Sequence, residues 1–391
     1  MMSAVSVNET NDDLFYNIPD FLLSEILKRL PVKELLRCRC VQKSWFNLIT
    51  APDFIKLHLK YHHRDAYLLF RSNYRFYHLR YNDEQCKEFV RLKPPASVGF
   101  SEYQSCWAQV SNGLICLSER LYVLGYERTV FLWNPLIQKQ KPLPPLDLSQ
   151  FTGGAKPLIH WSALAFGYVP SIHDYLFVRI LYCLNTSLRD SLIICVFSLN
   201  TNSWKTNLVQ FNHLQIDFFD HNESLFLNGI AYWRVKEFYV DPYVMYFDSF
   251  NGTIGFIPFP HVTDHHCLRQ FDQSLALFLE DSESNVFHMW LLKRGKDDSS
   301  WSWENMINVT LPMSLSPRVL GVRNNTQLLL MSKSDQLQHV LYSYDPVNNK
   351  LKGFVQSFEH WYTPEELKRY HEKEPLLIKQ FLGSLALLDT D

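Results

Sequence analysis

His261, Asp264, His265, His266 and Cys267 form the one ligand-rich cluster in this sequence. Imidazole, carboxylate and thiolate at such spacing are zinc-type ligands. A closed site needs four of them held by a fixed frame, and two further partners are not evident, so the stretch is read as a solvated loop between strands. His62-His63 is read as solvated linker. Gly153-Gly154 lies among Pro142, Pro144, Pro145 and Pro157 and reads as a connecting loop rather than a phosphate cradle. Trp301 and Trp303 are expected in the core at a strand edge, one facing away from the other, rather than as a ligand cage. G-x-S-x-G, G-x-x-x-x-G-K, H-E-x-x-H and the glycine fingerprint for dinucleotides are all missing. No catalytic residue, cofactor or metal is assigned, and the chain is expected to be non-catalytic.

The elements that could position a binding site come from an ordinary globular composition: 391 residues, 47% hydrophobic and 20% charged, with a formal net charge of −2. That length suits one small and one large domain. Without a basic excess, no nucleic-acid partner is expected. Glycine is low at 13 residues and aromatics are high at 15%, which suits strands with aromatic cross-strand packing. Eight cysteines (Cys38, Cys40, Cys86, Cys106, Cys116, Cys183, Cys195 and Cys267) are scattered without a C-x-x-C pair and read as reduced, small hydrophobes. Met1 to Asp13 is polar and acidic, unlike a secretory signal, and no apolar run approaches the ~18 residues of a membrane span. An intracellular location, cytoplasm and/or nucleus, is expected, with no membrane partner.

From Ile18 to Leu59 the pattern is that of short helices. Leu22, Leu23, Ile26, Leu27 and Leu30 recur at three- and four-residue spacing after Pro19. Pro31 stops that helix and can start another carrying Leu35 and Leu36. Val41, Trp45, Leu48 and Ile49 mark a third helix; Pro52, Phe54, Ile55, Leu57 and Leu59 mark a fourth. Some forty residues cannot hide all these side chains among themselves. Because Leu22 and Leu23 are neighbours, as are Ile26 and Leu27, the apolar face of the first helix is broad. One part can pack inward while another needs a partner, which is either the larger domain behind it or a separate protein. Ile18 to Lys60 also carries eight Lys/Arg against four Asp/Glu, either a solvated positive face or a steering surface for an acidic partner.

The order Ile18-Pro19-Asp20, Leu22, Ile26-Leu27, Leu30-Pro31, Leu35-Leu36, Val41, Lys43, Trp45 and Leu48-Ile49 resembles the F-box. The resemblance implies docking on a Skp-type adaptor and through it on a cullin. Ile18, Pro19, Leu22, Ile26, Leu30, Pro31, Leu35, Val41 and Trp45 would be its contact or contact-supporting positions. Residues 1–15 are then a flexible tail, 16–61 the F-box, and 62–391 a separate domain.

In that second domain one hairpin recurs: a strand ending in a large aromatic, Asn or Asp, polar turn residues, and a return strand. Tyr77–Asn82 returns through Lys87-Glu88-Phe89, Val130–Pro135 through Gln140–Pro142, and Cys195–Asn200 through Ser203–Lys205. Val244–Asp248 returns through Thr253–Phe256, Phe287–Trp290 through Trp301–Trp303, and Leu341–Pro346 through Lys350–Lys352. The anchors at 82, 134, 200, 248, roughly 292 and 345 lie 44–66 residues apart, a blade-like period. Asn and Asp suit the place because each can cap the turn and tolerate left-handed backbone. Six units predict a large all-β domain, a six-bladed kelch-like β-propeller, with a two-sheet sandwich as the alternative.

These stretches resemble the F-box-associated interaction domain of plant F-box proteins. The matching pieces are Ser111–Cys116, Trp133-Asn134-Pro135, Ala165–Tyr168 with Asp174-Tyr175, Val196–Leu199 with Ser203-Trp204, Leu227-Asn228-Gly229 with Tyr232-Trp233, and Phe247-Asp248. Leu176 departs from the family's usual Lys. The resemblance implies a substrate-recognition subunit of an SCF-type ubiquitin ligase, whose β-domain holds the protein to be ubiquitinated. That target is a pistil ribonuclease if the chain is of the S-locus class. An F-box scaffold without a ligase role and a propeller enzyme with an unrecognised site are the rivals. Candidate target-binding loops are Leu143–Pro157, Asp217–Glu223, Asp264–Gln270 and Lys293–Ser300. Near the end, Thr363-Pro364-Glu365-Glu366 predicts a helix start. Phe381–Leu388 is expected as a final strand that pairs with Ala66–Arg71 and closes the ring.

Overall fold

The computed structural model describes residues 18–62, 66–72, 76–82, 88–93, 95, 106–119, 130–154, 159–183, 191–210, 218–237, 240–261, 265–281, 286–295, 300–310, 318–324, 326–333, 339–355 and 377–388. The tail at 1–15 and the helix expected from Thr363 lie outside the described residues. Four helices come first: α1 (Asp20–Leu27), α2 (Val32–Cys38), α3 (Lys43–Thr50) and α4 (Pro52–Tyr61). Pro19 and Pro31 immediately precede α1 and α2. Their carbonyls accept the N–H groups of Leu22 and Leu23, and of Glu34 and Leu35. Pro52 stands in the first turn of α4, where a missing N–H costs nothing.

Six four-stranded antiparallel sheets follow. Blade 1 contains β1 (Ala66–Ser72), β2 (Phe76–Tyr81) and β3 (Glu88–Leu92). Blade 2 runs β4 (Cys106–Ser111), β5 (Leu114–Glu119), β6 (Val130–Asn134) and β7 (Lys139–Pro142). After a helical turn, α5 (Ser149–Thr152), blade 3 runs β8 (Ile159–Val169), β9 (Asp174–Cys183), β10 (Ser191–Ser198) and β11 (Ser203–Gln210). Blade 4 is β12 (Phe218–Leu227), β13 (Ile230–Glu237), β14 (Val240–Asp248) and β15 (Thr253–Pro258). Blade 5 is β16 (His265–Phe271), β17 (Ser274–Asp281), β18 (Val286–Arg294) and β19 (Trp301–Thr310). Blade 6 is β20 (Arg318–Arg323), β21 (Gln327–Lys333), β22 (His339–Asp345) and β23 (Lys350–Val355).

The ring closes through β24 (Leu377–Leu382), which joins blade 1 beside β1. Its register runs from Ala66 opposite Leu382 to Arg71 opposite Leu377. The expected partner is therefore correct, but the strand lies earlier than Phe381–Leu388, and residues 383–388 turn away from it. The inner strands β24, β4, β8, β12, β16 and β20 touch one another in that cyclic order. The domain is a closed six-bladed propeller, not a sandwich. Each expected hairpin is the third-to-fourth strand unit of one blade.

Apolar clusters fill the spaces between consecutive blades. Val178, Ile180 and Leu192 of blade 3 meet Trp233 and Met245 of blade 4, and Phe278 and Met289 of blade 5 meet Leu328 and Leu330 of blade 6. Both faces of a blade are thus covered, which explains continuous apolar runs such as Leu192–Phe197. Cys116, Cys183 and Cys195 are buried thiols in these layers. Trp301 and Trp303 pack on one cluster together, with the Trp303 indole N–H donating to the Pro258 carbonyl at 2.8 Å. The expectation that they face apart is wrong, because residues two apart on a strand share a face.

The turn anchors cap as their chemistry allows. Oδ1 of Asn134 accepts the Leu136 N–H at 3.2 Å, that of Asp248 the Phe250 N–H at 2.9 Å, and that of Asp345 the Val347 N–H at 3.0 Å. The left-handed residue is not the anchor but the fourth after it: Gln138, Gly252 and Asn349 all have positive φ. The side chain and the backbone strain of each turn are therefore carried by different residues.

Candidate docking surface

The helices use two sides of α1 differently. Leu23 (5% exposed) and Leu27 (1%) join Val32, Leu35, Ile49 and Phe54 in one core. The propeller completes that core with Leu385 and Leu388, and with Leu136 and Ile137 from the β6–β7 turn. Leu22 (45%) and Ile26 (54%) stand on the outer side. Pro19, Pro31 and Val41 are exposed as well, and Ile18, Leu30 and Trp45 are half-buried. Leu35 is wholly buried, so it can support an outer surface but not touch what lies on it. Phe21 and Phe46, not singled out from the sequence, are exposed large apolar side chains on α1 and α3. The Arg39 guanidinium lies over the Phe46 ring, 4.7 Å from its centroid, and Arg37 pairs with Glu34 at 2.9 Å. Large apolar side chains are thus exposed on α1 and α3 and at Val41, with Arg39 stacked on one of them.

Two histidines fasten α4 to the end of α1. Nε2 of His58 lies 2.9 Å from the Leu30 carbonyl, and Nε2 of His62 lies 2.9 Å from the Lys28 carbonyl. The rings lean together, 4.4 Å between centroids. Burial holds the His58 pKa down at about 4, against the bond to Leu30. His62 is buried, which corrects its reading as solvated linker, while His63 lies outside the described residues: the end of α1 presents unpaired carbonyls, and the rings of His58 and His62 satisfy them.

The propeller axis holds a second concave feature, a polar cavity of about 360 Å³ whose walls include Gln109, Asn112, Tyr168, Asn228, Arg269 and Gln273. Gln109 on β4 spans three blades: its Oε1 accepts the Phe166 N–H at 2.7 Å and its Nε2 donates to the Ser224 carbonyl at 3.3 Å. Asn112 and Asn228 occupy the first-to-second strand turns. Antiparallel connectivity puts those turns at the same end as the third-to-fourth strand turns, including the β6–β7 turn that supports the helices.

The sequence-chosen loops fare unevenly. Most of Asp217–Glu223 is β12, and His265–Gln270 is β16. Both are inner strands rather than loops; the runs Asp220-His221-Asn222-Glu223 and His265-His266 have the polar composition of a loop. Of the ligand-rich cluster, His265, His266 and Cys267 lie on β16, with Cys267 packed against the layer between blades 5 and 6; His261 is exposed ahead of that strand, and Asp264 lies outside the described residues. Residues 143–154 connect blades 2 and 3, as expected for Gly153-Gly154, whose φ values are 61° and 85°. Lys293 and Arg294 end β18, and 296–299 lie outside the described residues.

Residues 15–57 match the family model of the F-box domain, and residues 67–376 match that of the F-box associated beta propeller domain. An F-box protein of Arabidopsis thaliana is 25% identical, the match covering 89% of this chain and 90% of the relative. Another F-box protein of that plant is 26% identical over 76% of this chain and 75% of its own. An F-box/kelch-repeat protein, also from Arabidopsis thaliana, is 24% identical over 76% of this chain and 81% of its own.

Proposed function

Because the chain belongs to the F-box proteins that carry an F-box-associated β-propeller domain, we propose that it is the substrate-recognition subunit of an SCF-type ubiquitin ligase. The F-box docks on a Skp-type adaptor, and through it a cullin brings the ubiquitin-charged enzyme within reach. The propeller binds the protein to be ubiquitinated. The chain contributes effective concentration and orientation rather than bond chemistry.

The observation that carries this reading is the split of α1. The propeller covers Leu23 and Leu27 yet leaves Leu22 and Ile26 exposed, so the second half of a broad apolar face has no cover within the described residues. Leu22, Ile26, Pro19, Pro31 and Val41 are the contact positions of this proposal, with Ile18, Leu30, Leu35 and Trp45 supporting them from beneath. A few large side chains of this kind carry most of the affinity of such an interface. The test is capture of a purified Skp-type adaptor by the full chain. Binding that disappears in Pro19→Ala with Pro31→Ala, in a protein with unchanged circular dichroism, supports the assignment; unaltered binding overturns it. Capture under proteasome inhibition then identifies the target.

A further inference from the structure

One six-residue segment is shared between the helices and the propeller. After β24 closes the ring, residues 383–388 turn back on themselves, with the Leu388 N–H bonded to the Leu385 carbonyl at 2.9 Å. Leu385 and Leu388 enter the helical core beside Leu23, Leu27, Val32 and Leu35. Ala386 and Leu387 enter the layer between blades 2 and 3. Ser384 is fully buried, and its Oγ accepts the Ala386 N–H at 3.0 Å. Gly113 has no room for a side chain, since a Cβ there would stand 2.2 Å from that of Ser384.

Asn134 holds this segment by an atom its turn does not use. Oδ1 caps the β6–β7 turn, a task that Asp248 and Asp345 perform at the equivalent places in blades 4 and 6. Nδ2 donates to the carbonyls of Ser384 and Ala386, each at 2.9 Å, and the side chain is fully buried. Turn chemistry alone would accept Asp here, but a carboxylate would face two carbonyl oxygens with nothing to donate, an expensive arrangement in a buried site. We infer that residues 383–388 are a two-sided clamp making the F-box and the propeller one body, and that Asn134 is its positioning residue. Resting on the reading above, the clamp fixes the orientation in which a target is presented to the ligase.

The test is hydrogen exchange of the full chain, read at the amides of α1 to α4, with β13, β17 and β18, which lie away from residues 383–388, as internal reference. Asn134→Asp keeps the turn cap and removes the donor; Asp345→Asn makes the reverse exchange in a turn outside the clamp. Leu385→Ser with Leu388→Ser loosens the clamp from its other side. The expected result is exchange at least tenfold faster in the helices for Asn134→Asp and for the double variant, with the reference strands unchanged and Asp345→Asn like the parent. Unchanged helices in both variants, or equal acceleration in helices and reference strands, would overturn the clamp. If the helices loosen as expected while the parent chain captures no Skp-type adaptor, the clamp stands and the ligase reading falls.

Discussion

Leu22 and Leu23 are adjacent on α1 and have opposite fates, the first 45% exposed and the second 5% exposed. The boundary between what the shared helical and propeller core covers and what it leaves exposed runs between them.

Substitutions on the two sides should therefore separate binding from stability. Ile26→Asp, on the outer side, should weaken adaptor capture at least tenfold and leave the thermal midpoint within about 1 °C, since exposed changes cost within about 0.5 kcal/mol. Leu27→Ala, on the inner side at 1% exposure, should cost about 2–5 kcal/mol. Paired measurements of adaptor affinity and urea midpoint check the contrast.

The fold was more legible in the sequence than the site. Six hairpins marked six blades, five of them with an aromatic-plus-Asn/Asp anchor, because a turn such as those capped by Asn134, Asp248 and Asp345 uses a local side-chain chemistry that a sequence displays directly. The inner strands were partly misread as loops: Arg269 and Gln270 of β16 line the polar cavity, and β12 carries the run Asp220-His221-Asn222-Glu223, so neither strand has a clean apolar signature. For the F-box, spacing showed that the apolar face of α1 was too broad, but not which side faced the propeller, since this depends on Leu385 and Leu388 more than 350 positions away. The amide of Asn134 was legible as a turn cap and not as a donor to Ser384, its partner being 250 residues distant.

His58 makes stability depend on pH. Its folded-state pKa, about 4, lies below the ordinary 6.5, so on acidification the unfolded chain takes up a proton that the folded chain refuses. Its stabilising effect is fully present above pH 6.5 and is lost as the pH falls toward 4, amounting to on the order of 3 kcal/mol. His58→Gln, which keeps a donor for the Leu30 carbonyl without titrating in this range, should flatten that part of the profile. Urea midpoints at pH 7.5, 6 and 5 for both proteins measure it.

Gly113 and Gly252 both have positive φ, 81° and 68°, but only Gly113 is hemmed in. Gly252→Ala meets nothing within 4 Å and should cost only the left-handed backbone term, about 1–2 kcal/mol. Gly113→Ala must also displace Ser384 or the Leu382 carbonyl, 2.7 Å from the added carbon, which should add about 1–3 kcal/mol. Differential scanning calorimetry of the two variants orders them; equal costs would mean that the chain after β24 yields easily at this contact.

Thiol reactivity offers a probe of the docking surface that needs no substitution. Cys116, Cys183 and Cys195 are buried, and burial together with the Glu34 charge raises the pKa of the Cys38 thiol, which keeps its reactive thiolate scarce. Cys40 is exposed, its thiol 3.7 Å from the Leu36 carbonyl, and it directly precedes the exposed Val41. Among these five, iodoacetamide should therefore modify Cys40 first in the native protein. If Val41 lies under the adaptor, saturating Skp-type adaptor should slow Cys40 modification at least fivefold, because alkylation requires the reagent to reach the sulfur along the surface the adaptor would occupy. Peptide mass spectrometry over a time course, with and without adaptor, gives both rates. An unchanged Cys40 rate in a complex that demonstrably forms would place the adaptor on Leu22 and Ile26 without reaching the α2–α3 turn.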